Sequence, residues 1–330
     1  MKRVMVHWRA PLSLTATLLV IGCDHASNLG ERVQGPLYRQ VPGRGAQWVT
    51  KASMPTGRAE LAAAAVSDSL VVVLGGFDQH NVLGAGQAAE TYHPASNSWI
   101  IQAPMPTVRR SLAAATIRGQ VYAVGGANGA LNTTSALEAL DPLTNVWSIR
   151  APMPTARYGL TAGAIGDTLL YAVGGVSSTA IVSTLEVYDP LADAWSTKAP
   201  MPTARFFPAA GVISGKLYVV GGYVYGGVPL GTLEVYDPAT DSWTTRAPMP
   251  TPRGPAVAVV NGVLYAIGGD KSGTVEAYDP ATDSWTTMTP VPTARTFLAA
   301  GAVNRFVYAL GGYGTSPGDG LATNERSPRF

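Results

Sequence analysis

Lys216-Leu217-Tyr218-Val219-Val220-Gly221-Gly222, then Leu233-Glu234-Val235-Tyr236-Asp237-Pro238, then Trp243, is the stretch that decides the fold, because its order of signals recurs along the chain. A β-branched and aromatic run ends on paired glycines, a second apolar run ends on Asp-Pro, and a tryptophan follows; such runs bounded by turn residues read as strands. Upstream, Ala209 to Ile213 reads as a strand of small residues, so one repeat holds four strands: a (Ala209 to Ile213), b (Lys216 to Val220), c (Leu233 to Tyr236) and d, which carries Trp243. Asp237-Pro238-Ala239-Thr240-Asp241 suits a type I turn between c and d, since Pro presets φ and Asp bonds back to nearby amides.

The glycine pair recurs at Gly75-Gly76, Gly125-Gly126, Gly174-Gly175, Gly221-Gly222, Gly268-Gly269 and Gly311-Gly312, at spacings of 50, 49, 47, 47 and 43 residues. Trp48, Trp99, Trp147, Trp195, Trp243 and Trp285 keep step with it, while Trp8 lies outside the array. A period of this length marks a β-propeller built blade by blade. Alanine is a poor strand former, yet it dominates Leu61 to Ala65, Leu112 to Ala115, Thr161 to Ala164 and Leu298 to Ala300. Crowding at the axis of a ring of radial sheets accounts for it, and the glycine pairs fit a bulge or close backbone approach at the end of strand b.

Paired glycines after an apolar strand, then Tyr-Asp-Pro, then Trp, resemble the kelch motif of kelch-repeat propellers over residues 48 to about 325. The first repeat departs from it with Tyr92-His93-Pro94, and the last has neither Tyr-Asp-Pro nor Trp after Gly312. An unpartnered Trp48 strand at one end and a Trp-less repeat at the other complete one blade. The expectation is an all-β, six-bladed kelch-type β-propeller with four antiparallel strands per blade, closed by the N-terminal strand (about Gln47 to Lys51) joining the last blade, whose strand c falls around Leu321 to Arg326.

Residues 1–22 read as a signal peptide: Lys2, Arg3 and Arg9 precede an apolar stretch from Pro11 to Gly22, 12 residues long and too short to span a bilayer. Val20-Ile21-Gly22-Cys23 resembles a bacterial lipobox, which implies lipidation at Cys23, the only cysteine; a plain secretory signal with a chance cysteine is the alternative. Residues 23–46 then form the lipidated cysteine and a Gly- and Pro-rich tether, and 47–330 the propeller. The expected localisation is the bacterial cell envelope, with the membrane engaged through the anchor. Residues 1–22 hold three basic and no acidic residues, so their removal takes the formal charge from +2 to −1, a balance that gives no reason to expect nucleic acid.

Two rows recur in the blades. Arg58, Arg109, Arg157, Arg205, Arg253 and Arg295 each stand four residues after a Met, or Val291 in the last, and Glu90, Glu138, Glu186, Glu234 and Glu276 share one place on strand c, with Glu325 or its neighbour Asn324 in the last blade. Residues present in every blade are explained by shared architecture, so these rows read as structural Arg–Glu pairing or Arg bonds to loop carbonyls.

Function is sought where the blades differ. Strand alternation puts the d–a linkers and the b–c loops on one face. After each ring arginine come Ala59, Arg110, Tyr158, Phe206, Gly254 and Thr296; at the next position Glu60, Ser111, Gly159, Phe207, Pro255 and Phe297; after each glycine pair Phe77, Ala127, Val176, Tyr223, Asp270 and Tyr313. From these the candidate binding face is Phe77, Asp78, Arg110, Tyr158, Phe206, Phe207, Tyr223, Tyr225, Asp270 and Tyr313, a composition like that of binding hot spots. The expected role is non-catalytic recognition of a protein or peptide by a monomeric propeller, with a glycan as the alternative ligand.

No cofactor and no metal site is expected. Copper radical oxidases on kelch-like propellers use paired His, Tyr and a Tyr–Cys crosslink, which this sequence lacks, and His80 with Asp78 reads as a solvated pair rather than a metal site. Bacterial sialic acid mutarotases, exported kelch propellers, supply an enzymatic alternative that needs a positioned carboxylate and cationic groups but is marked by no motif here. A lone unpaired Glu in a deep channel would favour the enzyme, and several aromatics with no paired acid and base would favour binding.

Overall fold

The computed structural model describes residues 47–314 and 319–330. Six four-stranded antiparallel sheets follow one another in strand order a-b-c-d. Blade 1 is Ala62–Val66, Leu70–Leu74, Ala89–His93 and Ser98–Ile101; blade 2 is Ala113–Ile117, Gln120–Val124, Leu137–Asp141 and Val146–Arg150; blade 3 is Thr161–Ile165, Leu169–Val173, Leu185–Asp189 and Ala194–Lys198. Blade 4 is Ala209–Ile213, Lys216–Val220, Leu233–Asp237 and Ser242–Arg246, and blade 5 is Ala256–Val260, Val263–Ile267, Val275–Asp279 and Ser284–Met288. Blade 6 takes Ala299–Val303, Phe306–Leu310 and Asn324–Arg326, and its fourth strand is Val49–Thr50, registered with Val49 opposite Arg326 and Thr50 opposite Glu325. The ring is therefore closed by the N-terminal strand, as the unpartnered Trp48 implies. That strand is shorter than the expected 47 to 51, and the last strand c begins at Asn324 instead of Leu321.

Strand a is innermost, and the six a strands neighbour one another around the axis. Their alternate residues point into the channel and leave room only for small side chains. Gly163 illustrates the crowding between blades: a Cβ there would lie 2.7 Å from Leu217 of the next blade. Strands b and c are sandwiched between adjacent sheets and are almost wholly buried, whereas strand d is largely exposed. The cores accordingly lie between blades, as where Ile117, Tyr122 and Val124 of blade 2 meet Leu170, Ala172 and Tyr188 of blade 3. Each fully buried aliphatic or aromatic side chain stabilises by about 1.5–3 kcal/mol.

Two polar latches explain the repeated residues. Trp99, Trp147, Trp195, Trp243 and Trp285 donate their indole N–H to Ala52, Ala103, Ala151, Ala199 and Ala247 in the linker entering the blade, at 2.8–2.9 Å, and Trp48 does the same to Thr289 at 3.1 Å. The N–H groups of those same five alanines donate to Asn97, Asn145, Asp193, Asp241 and Asp283 at the end of the c–d turn. On the opposite face the second glycine of each pair donates its N–H to the next blade's ring arginine carbonyl, from Gly76 to Arg109 (3.1 Å) round to Gly312 and Arg58 (2.9 Å). Gly126, at φ +103°, shows why glycine is needed: a Cβ would sit 2.8 Å from the Arg110 carbonyl.

The leader at 1–22, the anchor Cys23 and the tether through residue 46 lie outside the described residues. Among the described residues no helix is long and apolar enough to cross a membrane.

Candidate functional site

The ring arginines are buried beneath the b–c face rather than displayed on it. Each pairs with the strand c glutamate of its own blade: Arg58–Glu90 at 2.6 Å, Arg109–Glu138 at 2.6 Å, Arg157–Glu186 at 2.7 Å, Arg205–Glu234 at 2.8 Å and Arg253–Glu276 at 2.5 Å. In blade 6 Glu325, not Asn324, is the partner: Arg295 Nη1 lies 3.0 Å from its carboxylate. The other terminal nitrogen donates to a strand b carbonyl in blades such as 3 and 5, from Arg157 to Ala172 at 3.0 Å and from Arg253 to Ala266 at 3.1 Å, whereas in Arg109 and Arg205 the glutamate-bound Nη2 itself also reaches Ala123 or Val219. The other glutamate oxygen accepts from a threonine two residues before the arginine in five blades, as in Thr203 to Glu234 at 2.8 Å. The sequence signal for that third member was the recurring Pro-Thr-x-Arg, which was not read as part of the pairing. Burial pulls the guanidinium of Arg58, Arg109, Arg157, Arg205 and Arg295 below its ordinary value, to about 10 at Arg205, and the facing carboxylates oppose that pull. Each carboxylate faces its arginine, although in blade 6 Glu325 Oε2 and Arg295 Nη1 meet as an ion pair without hydrogen-bond geometry, and the ring holds the linkers in place.

The two positions after each arginine build the mouth of the channel. The first forms a short antiparallel bridge with the residue after the glycine pair: Ala59 with Phe77, Arg110 with Ala127, Tyr158 with Val176, Phe206 with Tyr223, and Thr296 with Tyr313. The linkers and b–c loops thus share one face. The second position is left-handed in five blades, at Glu60, Ser111, Gly159, Phe207 and Phe297, and its N–H groups bond around the axis: Glu60 to Phe297, Ser111 to Glu60, Gly159 to Ser111 and Phe207 to Gly159, at 2.7–2.9 Å. Pro255 has no N–H to give the Phe207 carbonyl, so the ring of bonds opens at blade 5. Over that opening Phe207 and Phe297 meet edge to face, 4.9 Å between centroids. These residues border a central cavity of about 160 Å³ lined below by strand a alanines.

The mouth is two-sided. Its aromatic side links Tyr158 to Phe207 (6.4 Å), Phe207 to Phe206 (5.5 Å), Phe206 to Tyr223 (5.8 Å) and Phe297 to Tyr313 (6.0 Å). Its polar side centres on Glu60, which accepts from the Ser111 hydroxyl at 2.5 Å and from Arg110 Nη1 and the Tyr313 hydroxyl at 3.3 Å each. Arg110 lies over the Phe77 ring at 4.3 Å, a cation–π arrangement. Burial, then the neighbouring Glu60 carboxylate, pushes the Tyr313 hydroxyl well above the ordinary tyrosine value, so it stays a donor.

Seven of the ten expected residues thus meet at the mouth: Phe77, Arg110, Tyr158, Phe206, Phe207, Tyr223 and Tyr313. Three do not supply a free group there. Asp78 accepts from the N–H of His80 (2.8 Å) and of Gly320 (2.9 Å), tying the b–c loop of blade 1 to that of blade 6. Asp270 folds back on the N–H groups of Ser272 and Thr274; burial pushes its carboxyl up, but Thr274 and Ser272 together hold it below the ordinary value. Tyr225 sits at the tip of the hairpin between Tyr223–Val224 and Val228–Pro229, 91% exposed. His80 faces Asp319 at 3.0 Å in solvent, and among the described residues no cluster of three or more His, Cys, Asp or Glu could hold a metal. Conversely, Glu60, Ser111 and Phe297 belong to the site without having been chosen; their signal was variation at the same position as Phe207.

Six radial four-stranded sheets, paired glycines at each strand b terminus and a latching tryptophan on each strand d define a kelch-type six-bladed propeller. Kelch repeats are present in the chain: the KLHDC2/KLHL20/DRC7 Kelch-repeats domain matches residues 154–312, and the Kelch motif residues 109–154. Kelch-like protein 36 of Rattus norvegicus is 35% identical over 105 residues, 32% of this chain and 16% of that protein. Kelch-like protein 35 of Homo sapiens is 38% identical over 87 residues, 26% of this chain and 14% of that protein, so the chain matches only about a sixth of these relatives' length. The solved structure of YjhT superposes with a TM-score of 0.71 over 83% of this chain and 95% of that one at 16% identity, a likeness of fold alone.

Proposed function

We propose that this protein is a lipid-anchored component of the bacterial envelope whose propeller recognises a protein or peptide partner at the channel mouth, without catalysis. The observation that carries the reading is the two-sided mouth, where linked aromatic rings face the Glu60–Ser111–Arg110 cluster. Large aromatics and arginine are the side chains that dominate binding hot spots. The carboxylate an enzyme would need, Glu60, is bonded to three donors, and the strand c glutamates are paired and buried. Cys23 and its Val-Ile-Gly-Cys context support the anchor. A glycan ligand has its own support, since aromatic faces beside a carboxylate and hydroxyls suit a sugar ring.

The test uses a soluble chain of residues 24–330 for affinity capture from envelope extracts, beside an Arg110→Ala, Phe206→Ala, Tyr223→Ala variant. A protein retained by the first and lost by the second supports the reading. Capture by both places recognition elsewhere; capture by neither, with binding on a glycan array that the variant loses, replaces the protein partner with a sugar.

A further inference from the structure

The outer rim of the propeller is not uniform. Strand d is an unpaired edge in every blade, and such edges are usually kept polar. Two residues after the latching tryptophan stand Thr50, Thr197, Thr245 and Thr287 in blades 6, 3, 4 and 5, but Ile101 and Ile149 in blades 1 and 2. After the proline of the c–d turn, blades 1, 4 and 5 have Ala95, Ala239 and Ala281, whereas blades 2 and 3 have Leu143 and Leu191. Before the tryptophan, Val146 stands where other blades have Ser98, Ala194, Ser242 and Ser284. Ile101 is 70% exposed, Leu143 86%, Val146 59%, Ile149 79% and Leu191 77%, with Ile100 beside them at 49%.

The chain segments that carry these side chains are brought side by side in a strip along the rim. Immediately after Ile101, Gln102 donates to the Pro142 carbonyl (3.4 Å) and the Ala103 N–H to Asn145 (2.6 Å), which sets the end of strand d in blade 1 against the turn bearing Leu143 and Val146. Immediately after Ile149 and Arg150, the Ala151 N–H donates to Asp193 (3.0 Å), bringing that strand end to the turn bearing Leu191. The strip therefore crosses the rim of three consecutive blades. Repetition within one chain supplies the control: the fold tolerates Thr, Ser and Ala at these places in the other blades, so stability does not require the aliphatic residues.

We propose that this strip is a membrane-docking edge, seated in the interface of a lipid bilayer. The chain's own path argues for a lipid surface. The segment from Cys23 enters the propeller at strand d of blade 6, and its next residues lie against blade 1, where Ala52 is held by Asn97 (2.9 Å) and Trp99 (2.8 Å). The strip begins there. On the tether reading, residues 24–46 span about 27 Å root-mean-square, so an anchor at Cys23 keeps the bilayer within reach of the strip. Lipid chains at the N-terminus then hold the propeller at the surface, and burial of the aliphatic rim side chains adds apolar area that fixes its orientation there. Docking by this edge turns the propeller on its side and leaves the mouth facing along the membrane.

This inference rests on the anchor reading, and the experiment separates the two. Leu143→Cys or, at the same turn position of blade 5, Ala281→Cys is introduced into the full chain and labelled with a polarity-sensitive fluorophore; the mass of the Cys23 peptide reports lipidation independently. With vesicles of phosphatidylethanolamine and phosphatidylglycerol carrying doxyl-labelled lipid, quenching at 143 is expected to exceed that at 281 at least about fivefold, and Ile101→Thr with Ile149→Thr to remove most of the difference. If Cys23 proves unmodified, the anchor reading fails; the same contrast measured in a Cys23→Ser background with excess vesicles still decides the strip. Equal quenching at both positions, or none at 143, overturns docking. A blue shift at 143 that grows with protein concentration without vesicles also overturns it, in favour of pairing between two copies.

Discussion

Trp48→Ala tests the closure of the ring. Trp48 is 7% exposed and packs among Ile267, Val291, Leu298 and Val307, between blade 5 and the rest of blade 6, while its indole N–H donates to the Thr289 carbonyl at 3.1 Å. Truncating a buried Trp to Ala costs about 3–5 kcal/mol, the hydrogen bond included only in part because a water can replace it at the rim. A central value of about 4 kcal/mol is a large fraction of the 5–15 kcal/mol that holds a typical domain together. For a domain of this size each kcal/mol moves the midpoint by about 2–4 °C, so a fall of about 8–16 °C in Tm is expected by calorimetry. Trp48→Phe, which keeps most of the packing, should lose roughly a third of that. Were the ring open, Trp48 would lie on a fraying end and its removal would cost under about 0.5 kcal/mol. A Tm shift below about 2 °C for Trp48→Ala would therefore refute the closure and the register of Val49 with Arg326.

Glu234→Ala strands the buried Arg205 guanidinium, and loss of one partner of a buried pair costs about 3–5 kcal/mol; urea unfolding should show it, and a loss below about 1 kcal/mol would mean water replaces the carboxylate. Replacing Asp241 by Asn should flatten part of the acid limb of the stability profile. The Ala199 N–H, then the Tyr236 hydroxyl, holds the Asp241 carboxyl below its ordinary value, so its contribution is present above the unfolded-state pKa near 3.8 and is lost as pH falls through the lower folded value. Asn97 and Asn145 already accept the equivalent N–H in blades 1 and 2, so Asp241→Asn should unfold normally at pH 7, and an unchanged Tm difference between pH 5 and pH 2.5 would sink the assignment.

What could be read in the sequence, and what could not, divides along the symmetry of the ring. Residues serving the shared architecture repeat six times, and repetition turns a weak local signal into a strong one: Trp48 without a partner strand and Gly312 without a following Trp specify the closing blade between them. The arginine and glutamate rows were legible for the same reason, although Glu325 could not be told from Asn324, because a one-residue slip of strand c exchanges its faces. The structure resolves that register with Ala309 opposite Glu325. The mouth has no such redundancy. Phe77, Phe206 and Tyr313 were legible as variation at equivalent places, but variation does not reveal which polar side chains are already satisfied. Asp78 and Asp270 turn back onto loop amides, whereas Glu60, two residues from its arginine like Phe207, gathers three donors from two other blades. Loop amides are in reach of any nearby carboxylate, and only the path of each b–c loop decides whether they capture it. Symmetry therefore makes the scaffold readable from one dimension, and function, which depends on breaking that symmetry, becomes readable only once the blades are placed side by side.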